Sequence, residues 1–296
     1  SLIAPWVRKK RIIFRSGLAA LRIELDKRGK PSVLCRDSGT GQEVCLAGQS
    51  VILAGGPLNT PRLLLQSTSS EHPNGLGNST GVLGRYLHDH PHVFFTFRLA
   101  RPLPRLRHIA ILSREPYESS SPLLASQVSL GARISRGDRF LSAVSRPSME
   151  LGGIVFGTMI PTPDDRVQLV DTLDGGSPNG QIDIHIRYSA GATETAERGV
   201  VRTAAIFDDA GLSPTITHQS TRLTPGSSVH YGGTARMHAS PEFGVADGFN
   251  ALHDCPRVLV VDSSSFTTSV EKNPTLTAMA IAARAAARIA THGLGR

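Results

Sequence analysis

Ser50-Val51-Ile52-Leu53-Ala54-Gly55-Gly56 decides the fold class. A short, unbroken apolar run ending in two glycines reads as a strand buried on both faces, because a half-buried strand would alternate and a helix would run longer. Thr60-Pro61 then starts a helix, with Leu63, Leu64 and Leu65 on its apolar side. The unit is strand, glycine turn, helix. A second run of this kind, Arg257-Val258-Leu259-Val260-Val261-Asp262, lies near the other end of the chain and also leads towards a proline-started helix. Ligands of open α/β sheets bind beyond the carboxyl ends of such strands. Gly55 and Asp262 stand at those two ends, distant in sequence and expected to meet in space.

Working outward, Arg11 to Phe14 and Leu21 to Leu25 read as short strands. Ser32 to Arg36 and Glu43 to Leu46 read as a hairpin closed by Asp37-Ser38-Gly39-Thr40-Gly41. Beyond the first α/β unit the pattern changes. Val93 to Leu99, Ile109 to Leu112, Gln127 to Ile134, Ser148 to Met159 and Gln181 to Tyr188 are β-rich or alternating and punctuated by Pro and Gly. They predict a mainly antiparallel sheet inserted into the α/β part. Ala190 to Gly211 reads as a helix stopping at its glycine. The expected division is 1–90 with 231–296 for the α/β part and 91–230 for the insert.

The chain has 296 residues, 40% hydrophobic and 5% aromatic, enough for one large or two ordinary domains with an aliphatic core. Its net charge of +8 is scattered. Arg8-Lys9-Lys10-Arg11 is the tight basic run, with a looser group at Arg98, Arg101, Arg105 and Arg107. Without interleaved aromatics these argue against nucleic-acid binding. No stretch is long and apolar enough to predict a membrane span. Ser1 to Phe14 is no secretory signal, because its charges follow its apolar residues. The start at Ser1 suggests a chain that begins partway through a longer protein. Cys35 and Cys45 flank the hairpin turn; two such cysteines make no disulfide framework, and the three together fit no zinc spacing.

Two C-terminal stretches carry the chemistry. His230-Tyr231-Gly232-Gly233-Thr234 sets an imidazole beside a glycine turn that a flat ring can approach closely. Asn273-Pro274-Thr275 reads as a helix start, with Asn273 as cap and Pro274 in the first helical position, ahead of the Ala- and Leu-rich run Leu276 to Ala290. A helix N-terminus carries roughly half a positive charge and unpaired N–H groups, and so stabilises an anion. A base beside such a site can take a proton while a bound ring takes a hydride, which is the chemistry of alcohol oxidation.

Four blocks in order give the chain a resemblance to the C-terminal two-thirds of glucose–methanol–choline oxidoreductases, a family of FAD-dependent enzymes. They are Gly56 to Ser67, Gly84-Arg85-Tyr86-Leu87-His88-Asp89-His90-Pro91, His230 to Met237, and Val260 to Ser264 followed by Asn273-Pro274-Thr275. The resemblance implies α/β plus α+β architecture: an incomplete Rossmann-like FAD-binding domain with an inserted antiparallel-sheet substrate domain. His230 matches the family's catalytic histidine, the base that takes a hydroxyl proton while hydride passes to the flavin. Asn273 matches the second catalytic position and would orient the substrate oxygen. Asp262, Ser263, Pro274 and Thr275 would contact FAD, mainly through backbone. Ala54 and Gly55 would pass under its adenosine side, and Ala20 would touch the adenine through the main chain. The implied partners are a small-molecule alcohol (sugar, sterol or small alcohol) and oxygen or another electron acceptor.

His88, His90 and His92 would share one face of an extended segment, yet no distant fourth ligand accompanies them and no metal is expected. Gly75-Leu76-Gly77-Asn78-Ser79-Thr80-Gly81 mimics a dinucleotide loop, but its spacing is wrong and no buried strand precedes it. No G-x-G-x-x-G follows a buried strand anywhere, so the segment that holds the FAD pyrophosphate in this family is expected to lie outside the chain. Two other readings stand beside oxidation: a hydroxynitrile-lyase-type protein on the same scaffold, and an inactive or truncated copy without FAD. Departures at Thr68-Ser69-Ser70, His238, Ser263 and Val270-Glu271-Lys272 bear on loop shape and substrate fit.

Overall fold

The computed structural model describes residues 3–99, 108–112, 127–134, 149–170, 180–220, 224–268 and 272–293. After a short helix α1 (Ala4–Arg8) with no buried residue, three strands form an antiparallel meander: β1 (Leu18–Leu25), β2 (Pro31–Asp37) and β3 (Glu43–Ala47). Asp37 closes the β2–β3 turn, its Oδ1 accepting the Gly39 and Thr40 amides at 2.8 and 3.0 Å. Arg11 to Phe14, expected as a strand, is irregular and exposed. Its apolar residues have no paired edge to join. Cys35 sits opposite Val44 and Cys45 opposite Leu34, so the two thiols project from opposite faces of the ribbon, and both are free.

Strands β4 (Val51–Leu53) and, late in the chain, β12 (Val258–Val260) pair in parallel, Val51 beside Val258 and Leu53 beside Val260. β12 is buried throughout, whereas β4 buries Leu53 but leaves Ile52 55% exposed, so β4 is not the doubly covered strand its composition predicts. The following helix, α2, spans Gly56–Gln66, four residues ahead of the predicted start. Gly56-Pro57 opens it, and Pro61 lies inside. Pro61 has no N–H to give the Pro57 carbonyl, and the Thr234 hydroxyl donates to that carbonyl instead at 2.9 Å. A helix defect thereby becomes a tie to the His230 loop.

The middle of the chain forms one antiparallel sheet in the order β11-β5-β8-β7-β6: β5 (His92–Leu99), β6 (His108–Leu112), β7 (Gln127–Ile134), β8 (Met149–Phe156) and β11 (Pro214–Gln219). A separate two-stranded ribbon joins β9 (Arg166–Leu169) to β10 (Ile182–His185). Helix α3 (Ala190–Asp209) covers the sheet, capped by Ser189, whose side chain accepts the Ala192 amide at 3.2 Å. Ala192, Ala196, Val200, Thr203 and Phe207 recur at helical spacing and form its buried stripe. Of these, Ala196, Val200 and Phe207 cluster with Val93, Phe95, Phe97 and Leu99, the inward residues of β5. Each large side chain so buried contributes roughly 1.5–3 kcal/mol.

That cluster draws on residues 93–207. A second one, with Leu53, Leu63, Leu64, Leu76, Leu252, Val258 and Val260, draws on 23–83 and 235–260. The glycine-rich stretch 75–81 is a turn lying against α2 and Leu252, with Leu76 in this core. Helix α4 (Thr275–His292) ends the described chain, with Ala285 its one buried residue. Among the described residues no helix is long and apolar enough to cross a membrane.

Candidate active site

Three backbone segments lie side by side at the carboxyl ends of β4 and β12. Gly84 to His90 runs antiparallel to 232–234: Gly84 N donates to Thr234 O at 2.7 Å, Thr234 N to Arg85 O at 3.1 Å, and His88 and Gly232 exchange both bonds at 3.0 and 2.9 Å. On the other side of 233–237, the amides of Gly233, Ala235 and Met237 donate to the carbonyls of Ser263, Ser264 and Ser265 at 3.0, 2.9 and 2.9 Å. Glycine is required at the centre. At Gly233, with φ at +80°, a Cβ would strike the Tyr86 carbonyl, and at Gly232 it would strike the His88 ring. Three non-glycine residues around the ladder also hold positive φ: Tyr86 at 63°, Val229 at 56° and Thr234 at 82°. Such backbone is costly for bulky or β-branched residues and persists where surrounding bonds over-determine it.

Asp262 ties the two parallel strand ends. Its Oδ2 accepts from Gly56 N at 3.0 Å and Thr60 Oγ1 at 2.7 Å, and its Oδ1 from Ser264 N at 2.8 Å. The expected meeting of these distant positions therefore occurs, through Gly56 rather than Gly55. The Asp262 carboxylate is spent on the fold, and its carbonyl accepts from Ser265 Oγ and N at 2.8 and 3.2 Å. Ser263 gives its carbonyl to Gly233. Ala54 and Gly55 are exposed at the end of β4. Ala20 lies in β1 at a bulge and packs against the second cluster, that of Leu53 and Val258.

The ladder aims His88, His90 and His230 into one pocket of ≈ 230 Å³, whose other walls include Phe266, Thr267, Lys272, Pro274, Thr277 and Ile281. His230 Nδ1 lies 3.1 Å from His90 Nδ1, and Phe156 packs on both rings at centroid distances of 4.9 and 5.9 Å. Burial pushes the His230 pKa below the ordinary imidazole value; the Asp89 charge opposes this and His92 adds to it. His88 is pushed down to about 4, again by burial, against the Tyr86 carbonyl and the charges of Asp89 and Asp165. The Nε2 of His88 is buried without a hydrogen-bond partner among the described residues.

Asp89, fully buried, was not singled out by sequence. One of its oxygens accepts from Ser228 Oγ and from His230 N at 3.2 Å, the other from Gly226 N at 2.8 Å and Tyr188 OH at 3.1 Å. It joins the His88–His92 segment to the loop carrying His230. Its place between two histidines was the available signal. The three alternating histidine rings have separate surroundings: His88 Nδ1 meets Tyr86 O at 3.2 Å, His90 meets His230, and His92 packs against Phe94 and Phe156.

The start of α4 does reach the pocket, but not in the expected register. The cap position is Pro274, whose carbonyl accepts the Ala278 amide at 2.9 Å, so Asn273 stands one residue outside and Pro274 is not the first helical residue. Proline satisfies a cap position because its carbonyl, not its missing N–H, opens the helix. Lys272 and Pro274 line the pocket on either side of Asn273, which is itself exposed and outside the lining. Thr275 is exposed at the first helical turn.

Two family models described as GMC oxidoreductase match residues 2–92 and 161–282. The chain belongs to the GMC oxidoreductase family. It is 28% identical over 98% of its length to the 6'''-hydroxyparomomycin C oxidase of Streptomyces lividus, of which it covers 54%. It is 26% identical over 97% to the paromamine 6'-oxidase of Streptomyces fradiae, again covering 54%. The 2-methyl-1,2-propanediol dehydrogenase of Mycolicibacterium austroafricanum is 25% identical over 84%, with 49% covered. The chain thus spans about half the length of these relatives. Its fold is that of formate oxidase from Aspergillus oryzae (TM-score 0.64, 16% identity, 93% of this chain and 60% of that one) and of pyridoxine 4-oxidase from Mesorbium loti (TM-score 0.61, 19% identity, 92% and 57%).

Proposed function

We propose that this chain supplies the proton-accepting and substrate-facing part of an FAD-dependent alcohol oxidoreductase. The two hydrophobic clusters support a division into a cofactor side, residues 1–90 and 231–296, and a substrate side, 91–230. Bound FAD would supply the hydride acceptor. The fit to FAD rests on chemistry on both sides of the pocket: the uncapped N-terminus of α4 with Lys272 beside it suits an anionic ring, and the unpartnered His88 Nε2 is a buried acceptor awaiting a donor. Ala20, Ala54, Gly55, Asp262, Ser263, Pro274 and Thr275 would hold the cofactor chiefly by main chain.

His230 is the base in this reading. Its lowered pKa keeps the ring neutral, so at neutral pH it accepts the hydroxyl proton of an alcohol as the carbinol carbon gives up hydride. Asn273, at the pocket edge between Lys272 and Pro274, would donate its amide to the substrate oxygen. The names of the relatives above, together with a fructose dehydrogenase and C-glycoside 3-oxidases among the others, support a hydroxyl of a sugar or aminoglycoside as the substrate class. Oxidases and dehydrogenases both occur among them, which leaves oxygen and other electron acceptors open.

The observation that carries the proposal is a half-buried imidazole held neutral where the ladder and α4 meet. Anaerobic addition of aminoglycoside or sugar alcohols to the FAD-loaded protein should bleach the flavin absorbance. His230→Ala should slow bleaching by about 10²–10⁴-fold with FAD retention unchanged. Substrate turnover without bleaching would indicate lyase chemistry, and no retained flavin would indicate a non-catalytic protein.

A further inference from the structure

The two imidazoles that face each other through Nδ1 constrain one another. Hydrogen-bonded neutral rings 3.1 Å apart at these atoms must be opposite tautomers, because one nitrogen donates and the other accepts. A base acting through its second nitrogen needs that nitrogen bare. We propose that His90 is a positioning residue for His230: its Nδ1 accepts the Nδ1–H of His230 and leaves His230 Nε2 as the proton-accepting lone pair. This deepens the reading of His230 as base and rests on it.

The surroundings are built to hold that arrangement. His90 is 2% exposed. Its amide donates to Ser228 Oγ at 3.3 Å and its carbonyl accepts from Tyr188 OH at 3.0 Å. Asp89 accepts from both Ser228 Oγ and the His230 amide, so the two rings hang from one buried carboxylate and cannot drift apart independently. Phe156 packs against both. Once His230 takes its proton, its Nδ1–H still points at the lone pair of His90, a charge-assisted bond stronger than the neutral one. A second proton on His90 Nδ1 would set two N–H groups and two charges face to face, so the pair accepts one proton rather than two.

Long-range ¹H–¹⁵N spectra of histidine-labelled full-length protein at neutral pH read the tautomer directly, with the two rings assigned by loss of their signals in His230→Gln and His90→Gln. The expected pattern is His230 protonated at Nδ1 and His90 at Nε2. His90→Asn places an amide oxygen near the accepting nitrogen and should preserve the His230 pattern; His90→Phe removes the acceptor and should shift His230 towards Nε2–H. The idea is overturned if wild-type His230 carries its proton on Nε2, or if folded His90→Phe leaves the pattern unchanged. Should His90→Phe not fold, the wild-type and His90→Asn spectra still decide, with loss of the Nδ1–H form in folded His90→Asn counting against it. None of these readouts needs turnover. A correct tautomer with undiminished flavin reduction in His230→Ala would sink the base assignment and leave the pairing standing.

Discussion

On one side of the His230 pocket, residues 84–90, 226–237 and 263–265 are cross-linked by backbone bonds, a buried aspartate and glycines with no room for a side chain. On the other side stands α4, which buries Ala285 and presents Leu276 at 77% and Met279 at 57% exposure. The first wall fixes the imidazoles to within hydrogen-bond tolerance. The second brings a helix end, Lys272 and Thr277 near them with little packing of its own. A base must be placed closely relative to the proton it takes. A wall that meets substrates or a cofactor can be held more loosely.

This contrast can be broken most sharply at Gly233. Gly233→Ala should destabilise the protein by about 3 kcal/mol or more, since strain at positive φ and collision with the Tyr86 carbonyl act together. Denaturant unfolding measures it, and a change under about 1 kcal/mol would mean the ladder is slack.

Acid should expose the same wall. The unfolded chain protonates His88 near the ordinary 6.5, whereas the folded protein holds it neutral down to about 4. Stability is therefore complete above pH about 6.5 and falls as pH drops towards 4, by up to about 3 kcal/mol from this group. Unfolding midpoints across that range test the sign, and His88→Gln should flatten the slope.

A finer test uses the Thr234–Pro57 tie. Thr234→Val should cost about 1 kcal/mol by stranding the Pro57 carbonyl. The loss should shrink in a Pro61→Ala background, where the new amide at 61 can take that carbonyl. A double-mutant cycle with no coupling would deny the link between helix defect and loop.

The smallest expected effect falls on the α4 side. Asn273→Ala, at an exposed position, should change stability by less than about 0.5 kcal/mol while slowing flavin reduction. A large stability loss there would erase the difference between the walls.

Much of the fold was legible. Strands β5 to β8 and the span of α3 follow from local pattern in the sequence, whereas the stripe on α3, the pairing of β4 with β12 and the place of β11 came only with the structure. Gln181 to Tyr188, expected in the inserted sheet, gives β10 of the separate ribbon. The errors have local causes. Arg11 to Phe14 is β-prone yet finds no partner edge; α2 starts at Gly56, ahead of Thr60-Pro61, because Pro57 is tolerated in its first turn and the bond that Pro61 cannot make is replaced by Thr234. The α4 cap is misplaced by one residue because Asn and Pro each suit a helix start, and propensity cannot rank neighbours. His230 and the strand-end aspartate were visible as motifs. Asp89 and the partnership of His90 were not, since each depends on segments about 140 residues apart, as in the His90–His230 and Asp89–His230 bonds.

By itself the sequence determined most of the strands and helices, which blocks belong to the family, and which residues have the chemistry to take a proton. These are properties of local pattern and side-chain type. The tertiary structure decided that Asp262 serves the fold through its carboxylate, that Asn273 stands outside the pocket lining, and that His90 faces His230 nitrogen to nitrogen. Hydrogen bonds act over about 3 Å in space, and their partners are set by packing rather than by distance along the chain.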